Sequence, residues 1–495
     1  MNRKVKTLMV QGTASGVGKS LLATALCRIL YQDGLDIAPF KAINISLNSG
    51  VTANREEIAI SQIAQAQAAG VEPEANMNPF LIKPQHNQKP QVIIKGKLAS
   101  PTQIAKYYTD KDGLWSVVKQ SFENLAGCHE VIILEGAASP AEPSFISSDV
   151  VNLKIAKYAK SPVILVGDID QGGVFASLEG TISILKRHDP KASQLIQGIV
   201  INKYQGEKRH LESACRELTR ITGVPVLGVV PLMQNHGIAD EDTWFLKDKS
   251  TTRRAIVLDL VIIRTPGLQN SPDFDPLFEE PGVQTRFVSN VIGIGDPDLI
   301  ILPGTKNTIS DLHWLEEAGF KKLILNHAEA GKAIIGICGG FQMLGKIIRD
   351  PHSVESNEQR VAGLGLLDTE TVFAQKKVTK QTKIKISSGV AMLKGAANLD
   401  VKGFEIHMGQ TTKQGVKVSF DQKGWVLGTY LHDIFKNYNF RTLILGNLAH
   451  KTGKKLTSQK TIAAKQDKYD TLADLVRSNL DMNLLYKIFN KENHA

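Results

Sequence analysis

Val5-Lys6-Thr7-Leu8-Met9-Val10-Gln11-Gly12-Thr13-Ala14-Ser15-Gly16-Val17-Gly18-Lys19-Ser20 decides how the first half of this chain folds. Residues 5–10 are a short, mostly apolar run of the kind that makes a buried strand. The glycine-rich segment 12–20 then turns the chain, and a helix is expected from Leu21 to about Tyr31. Successive backbone N–H groups in such a turn can cradle phosphate, and the helix N-terminus adds favourable potential. Lys19 brings positive charge, and the Ser20 hydroxyl can ligate Mg2+. Gly12, Thr13, Gly16, Gly18, Lys19 and Ser20 are therefore the candidate ATP contacts. The competing reading is a glycine turn that happens to precede Lys-Ser.

Further strand-like runs, 36–40, 131–134, 163–166, 198–201 and 226–230, alternate with helical stretches up to about residue 245. This alternation predicts an α/β domain built on a parallel sheet. Ligands bind such sheets at the carboxyl ends of the strands. Glu135 ends one run, where an acid would meet the metal beside Ser20. Asp168 and Asp170 end another, Lys41 is a candidate second phosphate contact, and Asn202 offers an amide suited to a base. Any single acid here could instead be a helix cap.

After a charged stretch at 246–254, read as a linker or domain edge, a second α/β series runs through 255–263, 299–302, 333–337 and 425–431. Its key string is Gly336-Ile337-Cys338-Gly339-Gly340-Phe341-Gln342. G-x-C-x-G between strand and helix is the pattern of a nucleophile elbow, in which glycines permit a sharp turn and close backbone approach. A helix N-terminus favours thiolate. The alternative is a buried structural cysteine. For the base, His432 in Gly428-Thr429-Tyr430-Leu431-His432 is the preferred partner and His407 the rival. The glycine turn Leu302-Pro303-Gly304-Thr305 could combine the N–H of Gly304 with that of Gly339 as an oxyanion hole.

Composition narrows the class. The 495 residues suffice for two to four domains, and the final stretch from about 450 has helical apolar spacing. Four scattered cysteines argue against a disulfide framework or zinc site. No apolar run approaches the ~18–20 residues needed to cross a bilayer, and no signal-peptide pattern follows the basic N-terminus. A cytoplasmic protein is expected, with no membrane partner. The net charge of +10 is spread over scattered lysines, with clusters at 376–377, 380–385 and 451–455. Without a basic helix interleaved with aromatics, these read as solvated surface rather than a nucleic-acid groove.

The loop form G-T-x-x-G-V-G-K-S resembles the dethiobiotin synthetase group of P-loop proteins. Joined to a cysteine elbow, it resembles the fused ATP-dependent amidotransferases of corrin biosynthesis, and among them the cobyric acid synthase family. The likeness is carried by Pro39-Phe40-Lys41-Ala42 with Asn44, Ser46, Leu47, Asn48 and Ser49, and by Met77-Asn78-Pro79-Phe80-Leu81-Ile82-Lys83-Pro84. It continues in Glu135-Gly136-Ala137, Asp168-Ile169-Asp170 with the segment 172–178, Glu241-Asp242, the segment 302–309, the Cys338 elbow, the segment 403–409 and the segment 428–432. It spans about residues 5–445.

The resemblance implies a P-loop synthetase domain over 1–248 that binds ATP and corrin, a class I glutamine amidotransferase domain over 249–450, and a helical tail over 451–495. It implies four amidations, at carboxylates b, d, e and g of adenosylcobyrinic acid a,c-diamide, each using ATP, Mg2+ and glutamine. Asn44, Asn48, Asp168 and Asp170 then become substrate contacts, and Cys338 and His432 the glutaminase pair. The acid that usually follows the histidine by two residues is replaced by Ile434, a feature of this subgroup that leaves the orienter of His432 unassigned. Ile43, Asn54, the pair Arg55-Glu56, Gln171 and Gln410 also depart from the family pattern. Two rivals remain: an enzyme making the a,c-diamide from cobyrinic acid, and a P-loop partition or scaffold ATPase with an inert amidotransferase-like domain.

Overall fold

The computed structural model describes residues 5–85, 90–100, 102–104, 111–142, 149–233, 236–239, 256–386, 389–456 and 467–491. The linker stretch 246–254 and the pair Glu241-Asp242 lie outside them. In the N-terminal half, the strands Lys6–Gly12, Ile37–Phe40, Val131–Glu135, Val163–Asp168, Ile196–Tyr204 and Val226–Pro231 form one six-stranded sheet. Every pairing in it is parallel. The Lys6–Gly12 strand lies between Val163–Asp168 and Val131–Glu135, so the phosphate loop leaves from inside the sheet. Val131–Glu135 is buried throughout, as expected of a strand covered on both faces. The first helix, Lys19–Gln32, buries Leu22, Leu26, Ile29 and Leu30 against one face.

The second half repeats this plan. Val283–Val288, Leu258–Ile263, Leu299–Leu302, Ala333–Ile337 and Val426–Thr429 are parallel in that spatial order, and Phe420–Lys423 closes the edge antiparallel. Ala333–Ile337 is fully buried at the centre and aims Cys338 out of its carboxyl end.

Two features were not visible in the sequence pattern. Glu370–Ile386 and Leu399–Lys413 form a long antiparallel hairpin. Its lysine-rich first strand lacks a continuous apolar face, which hides it from periodicity arguments. The second feature is the position of the tail. Helices Lys468–Arg477 and Met482–Asn490, capped by Asp467 and Asp481, pack on the phosphate-loop domain, the former on its first helix and the latter on the strands Lys6–Gly12, Ile196–Tyr204 and Val226–Pro231. Leu472, Val476, Leu485 and Phe489 share one core with Leu26 and Ile29. Among the described residues, no helix is long and apolar enough to cross a membrane.

Candidate active site

Cys338 has φ 51° and ψ −108°, a conformation that costs a non-glycine residue on the order of 1–3 kcal/mol. Tight packing holds it there. A Cβ on Gly339 would lie 2.4 Å from Thr305 Cγ2, and one on Gly340 would lie 2.1 Å from the Leu302 carbonyl oxygen. Glycine is thus required at both places for the elbow to fit under the neighbouring turn. The Cys338 N–H donates to Thr429 O at 2.8 Å, and its thiol donates to Ile406 O at 3.5 Å.

His432 follows the adjacent strand Val426–Thr429. A Cβ on Gly304 would stand 3.1 Å from His432 Cε1 and 3.6 Å from Cys338 Cβ, so both side chains converge on this glycine. His432 Nδ1–H donates to Asp273 Oδ2 at 2.7 Å, and Asp273 Oδ1 accepts the Asp433 N–H at 3.0 Å. The ring also stacks on Phe404, with centroids 5.1 Å apart and planes 15° apart. Burial pulls the imidazole pKa down, but the Asp273 carboxylate and the nearby Cys338 sulfur outweigh it and raise the pKa to about 10. A carboxylate on Nδ1 fixes the tautomer and leaves the other nitrogen for proton transfer. The N–H groups of Gly304 and Gly339 take no partner among the described residues, while that of Gly340 donates to Pro303 O at 3.1 Å. Two free donors beside the thiol suit a developing oxyanion.

Asp273 is the orienter that sequence reading could not assign. It stands 159 residues before His432, in a segment without a recognisable signal. Asp433, adjacent to the histidine, turns its side chain to Lys436 instead. The rival His407 is engaged elsewhere: Nδ1 lies 2.6 Å from Gly409 O and Nε2 3.2 Å from Glu405 Oε2, with the ring stacked on Tyr430 at 3.7 Å.

The phosphate loop carries its left-handed turns on Gly16 (φ 73°) and Gly18 (φ 98°). Lys19 Nζ donates to Ala14 O at 2.8 Å, folding over the loop. Ser20 Oγ donates to Glu135 Oε1 at 2.7 Å, and Lys41 Nζ lies 2.8 Å from the same oxygen. Gln65 Nε2 donates to Glu135 Oε2 at 2.6 Å. A serine hydroxyl and a carboxylate at this separation are hard oxygen donors, a set that fits Mg2+. Lys41 thus faces the acid of the site. The Asn202 amide donates to Val17 O at 2.9 Å, bracing the loop. Thr13 N–H donates to Val166 O at 3.0 Å, and Gly12 lies under the loop, with Val17 Cγ2 only 2.5 Å from where its Cβ would be.

Asp168 accepts from Lys203 Nζ at 2.7 Å, and Lys203 also donates to Gly16 O at 2.6 Å, a contact no motif announced. Asp170 is exposed and accepts from Gln205 at 2.7 Å. Asn44 donates to Ser61 Oγ at 3.1 Å and to Gln62 Oε1 at 2.8 Å, and its buried Oδ1 has no partner among the described residues. Asn48 ties the same region together, accepting from Ile60 N–H at 3.2 Å.

The two halves meet through the hairpin Ser49–Val51/Glu57–Ala59. Val51 packs on Phe404 and Ile406, the residues that stack on His432 and receive the Cys338 thiol. Ser49 N–H donates to Asn270 Oδ1 at 3.0 Å, and Asn270 Nδ2 lies 3.3 Å from His432 Nδ1. Glu57 is gripped by Lys83 at 2.7 Å and by Lys377 of the second half at 2.6 Å. Lys377 is therefore a buried interdomain partner, not part of the solvated surface expected of the 376–377 cluster. The buried Glu57 carboxylate, bound by two lysines, accounts for the difference. A cavity of about 400 Å³ lies at this junction, lined by Val51, Phe404, Gln381, Asp433 and Lys436 among others.

A strained cysteine, a histidine–carboxylate pair and a phosphate loop define a glutamine-dependent amidoligase. The family profile described as CobB/CobQ-like glutamine amidotransferase domain matches residues 259–440, and that described as CobQ/CobB/MinD/ParA nucleotide binding domain matches residues 8–242. Curated relatives include the cobyric acid synthase of Dehalococcoides mccartyi (strain CBDB1), 41% identical over 98% of this chain and 99% of its own length. That of Caldanaerobacter subterraneus subsp. tengcongensis is 42% identical over 98% of each chain. This chain belongs to the cobyric acid synthase family. It is an ATP-binding, glutamine-dependent amidoligase of cobalamin biosynthesis, acting on glutamine and a corrinoid.

Proposed function

We propose that this enzyme amidates carboxylates b, d, e and g of adenosylcobyrinic acid a,c-diamide in the cytoplasm, giving adenosylcobyric acid. The observation that carries the mechanism is the strained Cys338 beside the buried His432–Asp273 pair, in the same chain as a phosphate loop. The Cys338 sulfur attacks the glutamine amide carbon, and the N–H groups of Gly304 and Gly339 receive the oxyanion. His432 delivers a proton to the leaving nitrogen as ammonia departs, leaving a glutamyl thioester. Water, deprotonated by His432, then releases glutamate.

At the other site, Gly12, Thr13, Gly16, Gly18, Lys19 and Ser20 hold ATP, with Lys41 drawn from Glu135 toward phosphate and Asn202 bracing the loop near the base. Ser20 and Glu135 would hold Mg2+, which neutralises charge on the phosphate oxygens when bound. A corrin carboxylate oxygen, positioned with Asn44, Asn48, Asp168 and Asp170, attacks the γ-phosphorus and ADP leaves. Ammonia then attacks the acyl phosphate and expels phosphate. The interdomain cavity beside Phe404 supports a protected route for ammonia between the sites.

The deciding experiment incubates the enzyme with glutamine, MgATP and each corrin, and counts amides by mass. Four added to the a,c-diamide supports the reading. Two added to cobyrinic acid, with none on the diamide, would replace it with the a,c-diamide synthase. Release of ADP without amidation of any corrin would favour a scaffold ATPase.

A further inference from the structure

The phosphate loop opens into a cavity of about 620 Å³ whose far wall is made by the end of the chain. At one end it is lined by Gly16, Gly18, Lys19 and Ser20, and at the other by Leu472, Leu475 and Val476 of the tail helix. Between them lie Asn202 and the segment 230–233, which continues the edge strand of the same sheet. A nucleoside triphosphate has the same polarity: an anionic chain at one end and a flat base with apolar faces at the other. Apolar side chains facing a few polar groups are what bind such a base.

The tail is seated here by specific contacts. Arg28 of the loop's helix lies 2.7 Å from Asp470 and 3.1 Å from Asp467, and Arg477 lies 3.0 Å from Asp33. Asp481 N–H donates to Leu227 O at 2.8 Å, next to Gly228, where a Cβ would lie 2.1 Å from Asn479 O. Glycine at 228 lets the tail backbone lie directly on the edge strand. The tail is therefore docked at the nucleotide cavity, although the chain reaches it only after completing the amidotransferase half.

We propose that helix Lys468–Arg477 completes the ATP site, with Leu475, flanked by Leu472 and Val476, packing against the nucleotide base. This rests on the assignment of ATP to the phosphate loop. Leu475 is the residue to change, because it is half-buried and faces the cavity, whereas Leu472 and Val476 are embedded in the core.

The test compares binding of MgATP and of inorganic tripolyphosphate, which has no base, by calorimetry on the full chain. Leu475→Glu should weaken MgATP about 10-fold and Leu475→Ala about 3-fold, while tripolyphosphate binding and the thermal midpoint stay at wild-type values. MgATP affinity within twofold of wild type in both variants overturns the inference. So does a parallel loss of both ligands in the Ala variant, which would make the helix a prop for the loop rather than a wall for the base. Wild-type protein that binds neither ligand would overturn the nucleotide assignment itself, and the inference with it.

Discussion

The two active turns share a plan and differ in where they put the strain. Each leaves the carboxyl end of a parallel strand and enters a helix. At the phosphate loop the left-handed positions are Gly16 and Gly18, where positive φ is tolerated without a steric penalty. At the elbow the residue with positive φ is Cys338 itself, followed directly by Gly339 and Gly340. The first turn offers backbone N–H groups to a ligand and needs no side chain at its sharpest point. The second presents a sulfur, so it carries the strain on the residue proposed to react and relies on packing to hold it.

The largest expected effect comes from separating the two turns by mutation. Cys338→Ala should lower glutamine-driven amidation by at least about 10⁴-fold while amidation driven by free ammonia continues. Lys19→Ala should do the converse, abolishing ADP formation while glutamate release persists. Loss of ammonia-driven amidation in Cys338→Ala would break the division of labour between the turns.

Asp273→Asn should reduce glutamate release by about 10²–10⁴-fold, because an amide does not enforce the same imidazole tautomer or stabilise its cation. It should also destabilise the protein by about 3 kcal/mol, as expected when one member of a buried ion pair is removed. The folded His432 holds its proton to a pKa of about 10, against an ordinary value of 6.5. The stabilisation is therefore complete below pH 6.5 and disappears as pH rises through 10. Urea melts of both proteins should show their widest gap near pH 6, shrinking toward pH 10. A constant gap would mean that Asp273 acts only through packing.

The smallest effect concerns the contact between the halves. Val51→Ala removes two methyl groups from the surface on which Phe404 and Ile406 rest. Glutamate release should fall about 3-fold and stability by about 1 kcal/mol, read by initial rates and chemical melts. Unchanged rates with lowered stability would show that the glutaminase keeps its geometry without support from the synthetase half.

Much of this was legible from residues alone. Strands 131–134 and 333–337 are short apolar runs that end at Glu135 and at Cys338-Gly339-Gly340, so local composition locates both the sheets and the candidate site residues at their edges. The hairpin Glu370–Ile386/Leu399–Lys413 was not legible, because exposed lysines such as Lys376, Lys383 and Lys385 dilute its apolar pattern. Nor was Asp273, since a lone aspartate acquires meaning only from the imidazole folded onto it.

The sequence by itself determined the two strand–turn–helix sites, because each depends on residues adjacent in the chain and on backbone freedom that glycine alone supplies. Tertiary structure decided which acid serves His432, why Lys377 is buried against Glu57, and where the tail lies. Those outcomes depend on charges and apolar surfaces brought together across hundreds of residues, and their energies exist only once water has been excluded between them.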